Sequence, residues 1–257
     1  AAGPRRGGGD GGAEQGGLGG HLPPCRGQNT SSSTWKRTSR TRRRTSRPGR
    51  SSSTSHPLTQ IWSLRFSGDS REIIAGAHYG YIYVYDIEAQ RRVLSVGAHN
   101  DDVNSVTFAD ATSSNVFVSG SDDSMLKVWD RRSLVRGKPA GCLPGHTEGI
   151  TYIAPKGDGR YCISNSKDQS VRLWDLRTGQ AHRTLLGHTA PISCVQFDET
   201  HLVSGSLDKT VRVWDLRMGS VVDTLHYDYP VTALQFDSRK VLVACGAQAL
   251  DVRAFFC

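Results

Sequence analysis

The stretch Leu202-Val203-Ser204-Gly205-Ser206-Leu207-Asp208-Lys209-Thr210-Val211-Arg212-Val213-Trp214-Asp215 decides the fold. It is two short apolar runs on either side of a polar turn, which read as strands. The same phrase recurs upstream. Tyr83-Val84-Tyr85-Asp86, Lys127-Val128-Trp129-Asp130 and Arg172-Leu173-Trp174-Asp175 line up with Arg212-Val213-Trp214-Asp215. Their aromatic residues are 44, 45 and 40 positions apart. A second phrase precedes three of them: Ala98-His99, Gly145-His146 and Gly187-His188. Between these landmarks lie further alternating runs, such as Ile61-Trp62-Ser63-Leu64-Arg65-Phe66 and Val103-Asn104-Ser105-Val106-Thr107-Phe108. Long helical periodicity is absent.

A period of about 40–45 residues, with Gly-His near its start and Trp-Asp near its end, is that of the WD propeller. On these residues, 57–250 resemble the WD-repeat β-propeller family. The resemblance implies an all-β chain of four full blades and one partial blade, at about residues 57–97, 98–143, 144–185, 186–226 and 227–257. Propellers close with about four to eight blades. Four and a fraction with no evident ring-closing strand predicts an incomplete or open propeller, whose bare edges invite self-association.

Within the three clear repeats four positions recur: His99, Ser119, Asp123 and Trp129; His146, Ser164, Asp168 and Trp174; His188, Ser204, Asp208 and Trp214. The offset is 4 from Ser to Asp and 6 from Asp to Trp in each. The family resemblance implies a structural hydrogen-bond tetrad, in which the turn Asp holds the His, the His meets the Ser, and the Ser meets the indole N–H. That order fits the inventory of groups, because Trp only donates and ionised Asp only accepts. A Ser, a His and an Asp also superficially resemble a nucleophilic triad. Three copies of one constellation argue for structure, since a catalytic one is normally unique. No phosphate-binding loop, nucleophile elbow or H-E-x-x-H occurs. The chain is therefore read as no enzyme, with no catalytic, cofactor-binding or metal-binding residues assigned.

Two blades depart from the pattern. In the first, Ala75, Tyr79 and Tyr85 stand where Ser, Asp and Trp are expected, so its sheet is expected to rest on aromatic packing by Tyr81, Tyr83 and Tyr85. In the last, Tyr227 falls at the His position, and the sequence ends without Trp-Asp or a fourth strand.

Charge divides the chain. Residues 1–60 hold eleven Lys and Arg against two acids, a net of +9, while the rest holds 21 bases against 22 acids, a net of −1. The basic balance thus belongs to residues 1–56, a Gly/Ser/Arg-rich stretch with too few apolar residues to offset ordering entropy. It is expected to be disordered. Its arginines Arg42, Arg43, Arg44, Arg47 and Arg50 read either as a nuclear-localisation or nucleic-acid-binding arm or as a solvated tail. The six cysteines include no C-x-x-C pair. Cys162 and Cys194, set in apolar strands, typify a set read as buried, reduced thiols, as in a cytosolic or nuclear protein. No apolar run is long enough to span a bilayer, and no signal-peptide core opens the chain.

Two finer resemblances overlie the general one. Residues 58–178 resemble the substrate receptors of cullin-4 ubiquitin ligases, on Gln60-Ile61-Trp62-Ser63-Leu64-Arg65-Phe66-Ser67, Gly80-Tyr81-Ile82-Tyr83-Val84-Tyr85-Asp86 and Ser164-Asn165-Ser166-Lys167-Asp168. That resemblance implies a nuclear or cytoplasmic scaffold that binds the ligase's adaptor propeller and a client protein. It assigns adaptor contact to the arginine two residues after the Asp of Trp-Asp, met here by Arg132, Arg177 and Arg217. The plain alternative is that each caps a surface turn. Residues 183–250 resemble fungal mitochondrial-division WD-repeat adaptors, on Ile192-Ser193-Cys194-Val195-Gln196-Phe197-Asp198 and Tyr227-Asp228-Tyr229-Pro230-Val231-Thr232-Ala233-Leu234-Gln235-Phe236-Asp237. That implies recruitment of a dynamin-like GTPase to the cytosolic face of the mitochondrial outer membrane.

Overall fold

The computed structural model describes residues 60–134, 137–236, 240–246 and 249–254. The basic stretch 1–56, with Arg42, Arg43, Arg44, Arg47 and Arg50, lies outside them.

Five antiparallel sheets follow one another along the chain. Blade 1 contains β1 (Ile61–Phe66), β2 (Glu72–Ala77), β3 (Tyr81–Asp86) and β4 (Arg91–Gly97). Blade 2 contains β5 (Ser105–Phe108), β6 (Val116–Gly120), β7 (Leu126–Asp130) and β8 (Gly141–Leu143). Blade 3 contains β9 (Ile150–Pro155), β10 (Tyr161–Ser166), β11 (Ser170–Asp175) and β12 (Gln180–Leu186). Blade 4 contains β13 (Ile192–Phe197), β14 (His201–Ser206), β15 (Thr210–Asp215) and β16 (Ser220–His226). Blade 5 has three strands, β17 (Val231–Phe236), β18 (Lys240–Cys245) and β19 (Ala249–Ala254). Each sheet is a meander in which sequence neighbours pair, so the register is set by short turns.

The first strands of successive blades pack on one another, which makes them the inner strands of an arc. The core lies between the sheets. Ile74, Ile82 and Val84 of blade 1 meet Val106, Phe117 and Trp129 of blade 2. Val118 and Val128 of blade 2 meet Ile150, Ile153 and Trp174 of blade 3. Ile163 and Val171 of blade 3 meet Ile192, Val195 and Trp214 of blade 4. Val203, Val211 and Val213 of blade 4 meet Val231, Val241 and Val243 of blade 5. A blade thus has little core of its own, and its apolar area leaves water only against its neighbours.

The arc is open. Among the described residues no strand of blade 1 packs extensively on blade 5. The uncovered face of β1 shows the consequence: Ile61, Leu64 and Phe66 are 52%, 54% and 64% exposed.

Blade 1 corrects one expectation. Tyr81 and Tyr83 do stack, with ring centroids 6.0 Å apart, and Arg92 lies over Tyr83. Tyr81 and Tyr85, however, are each 42% exposed, and the sheet is held by fully buried Ile74, Ile82 and Val84. Aliphatic side chains from the two middle strands fill the junction with blade 2, and none of the three tyrosines belongs to that buried cluster.

Candidate functional site

The three repeated constellations assemble at the same place in blades 2, 3 and 4. In blade 4, His188 Nδ1 lies 2.8 Å from Asp208 Oδ2 and Nε2 lies 2.8 Å from Ser204 Oγ. Trp214 Nε1–H donates to the same Ser204 Oγ at 2.8 Å. Blade 3 repeats this with His146–Asp168 at 2.8 Å, His146–Ser164 at 2.8 Å and Trp174–Ser164 at 2.7 Å. Blade 2 repeats it with His99–Asp123 at 3.0 Å, His99–Ser119 at 2.7 Å and Trp129–Ser119 at 2.8 Å.

The turn geometry follows from sequence. The residue after each turn Asp adopts a left-handed conformation: Ser124 (φ 64°), Gln169 (φ 69°) and Lys209 (φ 66°). That tight turn aims the carboxylate inward. Asp208 accepts the N–H of Thr189 and of Thr210, and Asp168 accepts the N–H of Thr147 and of Ser170. Each Asp therefore ties the loop before the blade to the hairpin within it.

The directions of the side-chain bonds are fixed by what each group can do. Burial pushes the His99, His146 and His188 imidazoles below their ordinary value of 6.5, against the pull of the neighbouring carboxylates. For Asp208, burial pushes the carboxyl up. The Thr210 hydroxyl, the Thr189 amide and His188 outweigh it and hold the carboxyl at about 2. Asp123 and Asp168 are lowered in the same way. A neutral imidazole beside a carboxylate carries its proton on Nδ1 and donates it to the Asp. Nε2 then accepts from the Ser hydroxyl, whose oxygen accepts from the indole.

Chemically the arrangement ties strand, turn and loop of each blade together. Ser119, Ser164 and Ser204 are 0% exposed. Each hydroxyl is engaged by both an imidazole and an indole N–H. Each network satisfies groups that, orphaned, cost about 1–3 kcal/mol apiece.

Sequence reading missed two partners. Ser170 Oγ donates to Asp168 at 2.7 Å, and Thr210 Oγ1 donates to Asp208 at 2.6 Å. The signal was a hydroxyl two residues after the turn Asp; blade 2 has Met125 there and lacks the bond. A second missed relation concerns the residue before each His. A Cβ built on Gly145 or Gly187 would lie 2.6 Å from Arg172 or Arg212 Nη1. Blade 2 has Ala98 at that position, and the matching strand residue is Lys127, whose slimmer amine donates to the Ala98 carbonyl at 2.7 Å.

The three arginines after Trp-Asp sit on one rim, at corresponding places beyond β7, β11 and β15. They are not equivalent. Arg132 folds back on its own Asp130 with two bonds, at 2.7 and 3.0 Å. Arg177 and Arg217 are exposed, and their backbone N–H groups donate to Asp175 and Asp215 at 2.8 and 2.6 Å. Among the described residues neither guanidinium meets a carboxylate. Asp175 is paired instead with Arg160, at 3.1 Å.

Among the described residues no group of three or more His, Cys, Asp or Glu is placed to hold a metal ion. No helix there is long and apolar enough to cross a membrane. Cys162 and Cys194 are free thiols; burial pushes Cys194 up to about 11 and Cys162 further still. Cys142 is disulfide-bonded, which corrects its reading as a reduced thiol.

Comparison with known proteins agrees with this geometry. The family described as WD domain, G-beta repeat matches residues 49–86, 90–130, 137–175 and 179–215. LEC14B protein of Lithospermum erythrorhizon is 57% identical over 118 residues, covering 46% of this chain and 25% of that protein. The DDB1- and CUL4-associated factor 11 homolog of Caenorhabditis briggsae is 44% identical over 139 residues, covering 53% and 24%. Mitochondrial division protein 1 of Malassezia globosa is 81% identical over 89 residues, covering 35% and 13%. The chain thus spans a quarter or less of the length of these curated relatives. The crystal structure of the computationally designed Ika8 protein superposes with a TM-score of 0.67 at 28% identity, over 76% of this chain and 58% of that one. Four matched repeats, four complete sheets and three buried tetrads lead to one assignment: this chain belongs to the WD-repeat family.

Proposed function

We propose that this chain is a non-enzymatic protein-binding scaffold and serves as a substrate-receptor-like module of a cullin-4 ubiquitin ligase. The observation that carries the reading is the 44% identity to a DDB1- and CUL4-associated factor over 139 residues. Rim chemistry supports it. Arg177 and Arg217 hold out planar, permanently charged forks that suit carboxylates and carbonyls of a partner. Arg132, closed on Asp130, must break that pair before it can bind and contributes less. On this reading the scaffold works in the nucleus or cytoplasm.

The test is capture of the purified cullin-4 adaptor propeller by the full chain, with Arg177→Glu and Arg217→Glu compared singly and together. Rim arginines that anchor a partner are expected to cost tenfold or more in affinity when reversed, on the order of 2 kcal/mol. Unchanged capture assigns them to surface turns. Failure of the unaltered chain to bind ends the ligase reading.

The 81% identity to Mitochondrial division protein 1 favours a second reading, an adaptor that recruits a dynamin-like GTPase to the mitochondrial surface. A purified GTPase of that class as the competing bait separates the two. A nucleic-acid role for the arginine-rich stretch predicts salt-sensitive binding that vanishes when residues 1–56 are removed.

A further inference from the structure

The junctions between blades share a clasp. At three in succession, the side chain one residue into the inner run donates to the carbonyl that opens the next inner run. Asn104 Nδ2 donates to the Ile150 carbonyl at 2.9 Å, Thr151 Oγ1 to Ile192 at 2.8 Å and Ser193 Oγ to Val231 at 2.7 Å. Thr151 and Ser193 also approach a carbonyl of their own sheet, Asn165 at 3.3 Å and Gly205 at 3.0 Å. The last junction adds a second clasp. Gln196 Nε2 donates to the Phe236 carbonyl, and the Phe236 N–H donates to Gln196 Oε1, both at 2.9 Å.

Blade 5 repeats both devices with nothing to hold. Thr232 and Gln235 stand 39 residues after Ser193 and Gln196, in Val-Thr-Ala-Leu-Gln-Phe against Ile-Ser-Cys-Val-Gln-Phe. Thr232 keeps the within-sheet bond, to the Ala244 carbonyl at 3.2 Å. Yet Thr232, Ala233 and Gln235 are all exposed, and no sheet lies beyond them among the described residues. The complementary half sits at the other end of the arc. In blades 2 to 5 the residue that opens the inner run (Val103, Ile150, Ile192, Val231) is fully buried against the preceding blade. In β1 its counterpart Ile61 is exposed, together with Leu64 and Phe66. The pairing of Ile61 with Ala77 and of Phe66 with Ile73 matches that of Val231 with Cys245 and Phe236 with Val241.

We propose that the exposed face of blade 5 receives strand β1 of a second copy of this chain. The Thr232 hydroxyl donates to the second copy's Ile61 carbonyl, and the Gln235 carboxamide bridges the second copy's Phe66 N–H and C=O. The apolar side chains at Ile61, Leu64 and Phe66 are covered as their counterparts are inside the arc. Among the described residues the two ends of one copy do not meet, and β1 of a second copy is a fitting inner strand that this molecule itself provides. Such a contact is heterologous: each added copy presents a fresh blade 5, and assembly proceeds head to tail. This inference stands independently of the ligase reading.

The experiment is sedimentation of the full chain over a wide concentration range, with two variants that each block one face. Leu64→Glu with Phe66→Glu blocks blade 1, and Ala233→Arg blocks blade 5. All three positions are exposed, and near-ultraviolet circular dichroism checks the fold. The unaltered chain is expected to form a concentration-dependent series of oligomers. Each variant alone stays monomeric, while an equimolar mixture of the two stops at a dimer through the one intact pair of faces. Thr232→Val alone weakens association roughly two- to tenfold, as one lost hydrogen bond. An unaltered chain that is monomeric throughout would overturn the proposal. Unhindered association of a single-face variant, or a mixture that stays monomeric, would overturn it as well.

Discussion

Blades 1 and 4 have the same four strands in the same order, with the same register shift before the aromatic residue of the third strand. Their interiors differ. Blade 4 carries Ser204, His188, Asp208 and Trp214 in one hydrogen-bonded chain, while blade 1 has Ala75, Tyr79 and Tyr85 at the strand and turn positions. Blade 1 turns through two left-handed residues, Tyr79 at φ 58° and Gly80 at φ 76°, where blade 4 has one, Lys209 at φ 66°. Its Tyr79 N–H donates to Asp102 of the next blade's loop at 3.0 Å, so the turn is moored outward, not to a tetrad. The comparison teaches that burial between sheets suffices to make a blade. The tetrad adds a lock between the loop that enters the blade and the hairpin inside it.

Removing the lock's largest member gives the widest contrast. Trp214→Ala deletes a fully buried ring from the junction with blade 3 and is expected to cost about 3–5 kcal/mol. Tyr85→Ala, at a half-exposed site, costs about 1 kcal/mol or less. Urea unfolding reads both. Ser204→Ala is subtler, because the ring stays but the indole N–H and the His188 acceptor lose their partner; it is expected to cost about 1–3 kcal/mol. Tyr85→Phe at the corresponding place in blade 1 stays within about 0.5 kcal/mol.

Acid probes all three locks at once. The imidazoles are lowered below 6.5 in the fold, so between the folded value and 6.5 the unfolded chain binds more protons. Stability therefore rises with pH across that window and is lost as pH falls below 6.5. The carboxyls, held below 3.8, add a second loss at lower pH, extending to about 2 for Asp208. His188→Gln is expected to flatten the first window by about one proton in three, read from urea midpoints above and below it. The smallest effect is at the turn: Lys209→Gly relieves a left-handed side chain and gains up to about 1 kcal/mol. Gly80 already has that freedom, so in blade 1 the matching relief is at Tyr79, φ 58°, one position earlier.

Much of this was legible in the sequence, for identifiable reasons. The tetrads announce themselves because hydrogen-bond geometry tolerates few residue types, so Ser, Asp and Trp recur at fixed offsets. The inter-blade clasp was not legible. Asn104, Thr151 and Ser193 share only a donor, and Trp62 breaks the series, so no residue type repeats. The unlike states of Arg132 and Arg177 were hidden for a related reason. An arginine two residues after an aspartate reaches back or outward according to local geometry, and in blade 3 Arg160 has already taken Asp175.

Hydrogen exchange of the indole N–H groups tests the claim that the repeated Ser, His, Asp and Trp form structural locks. Trp62, 52% exposed, supplies an internal reference for fast exchange. The account predicts that the indoles of Trp129, Trp174 and Trp214 exchange far more slowly than that of Trp62, and that Ser164→Ala speeds Trp174 while leaving Trp214 protected. If all three exchanged as fast as Trp62, the indoles would not be held by their serines, and the structural reading of the tetrads would be contradicted.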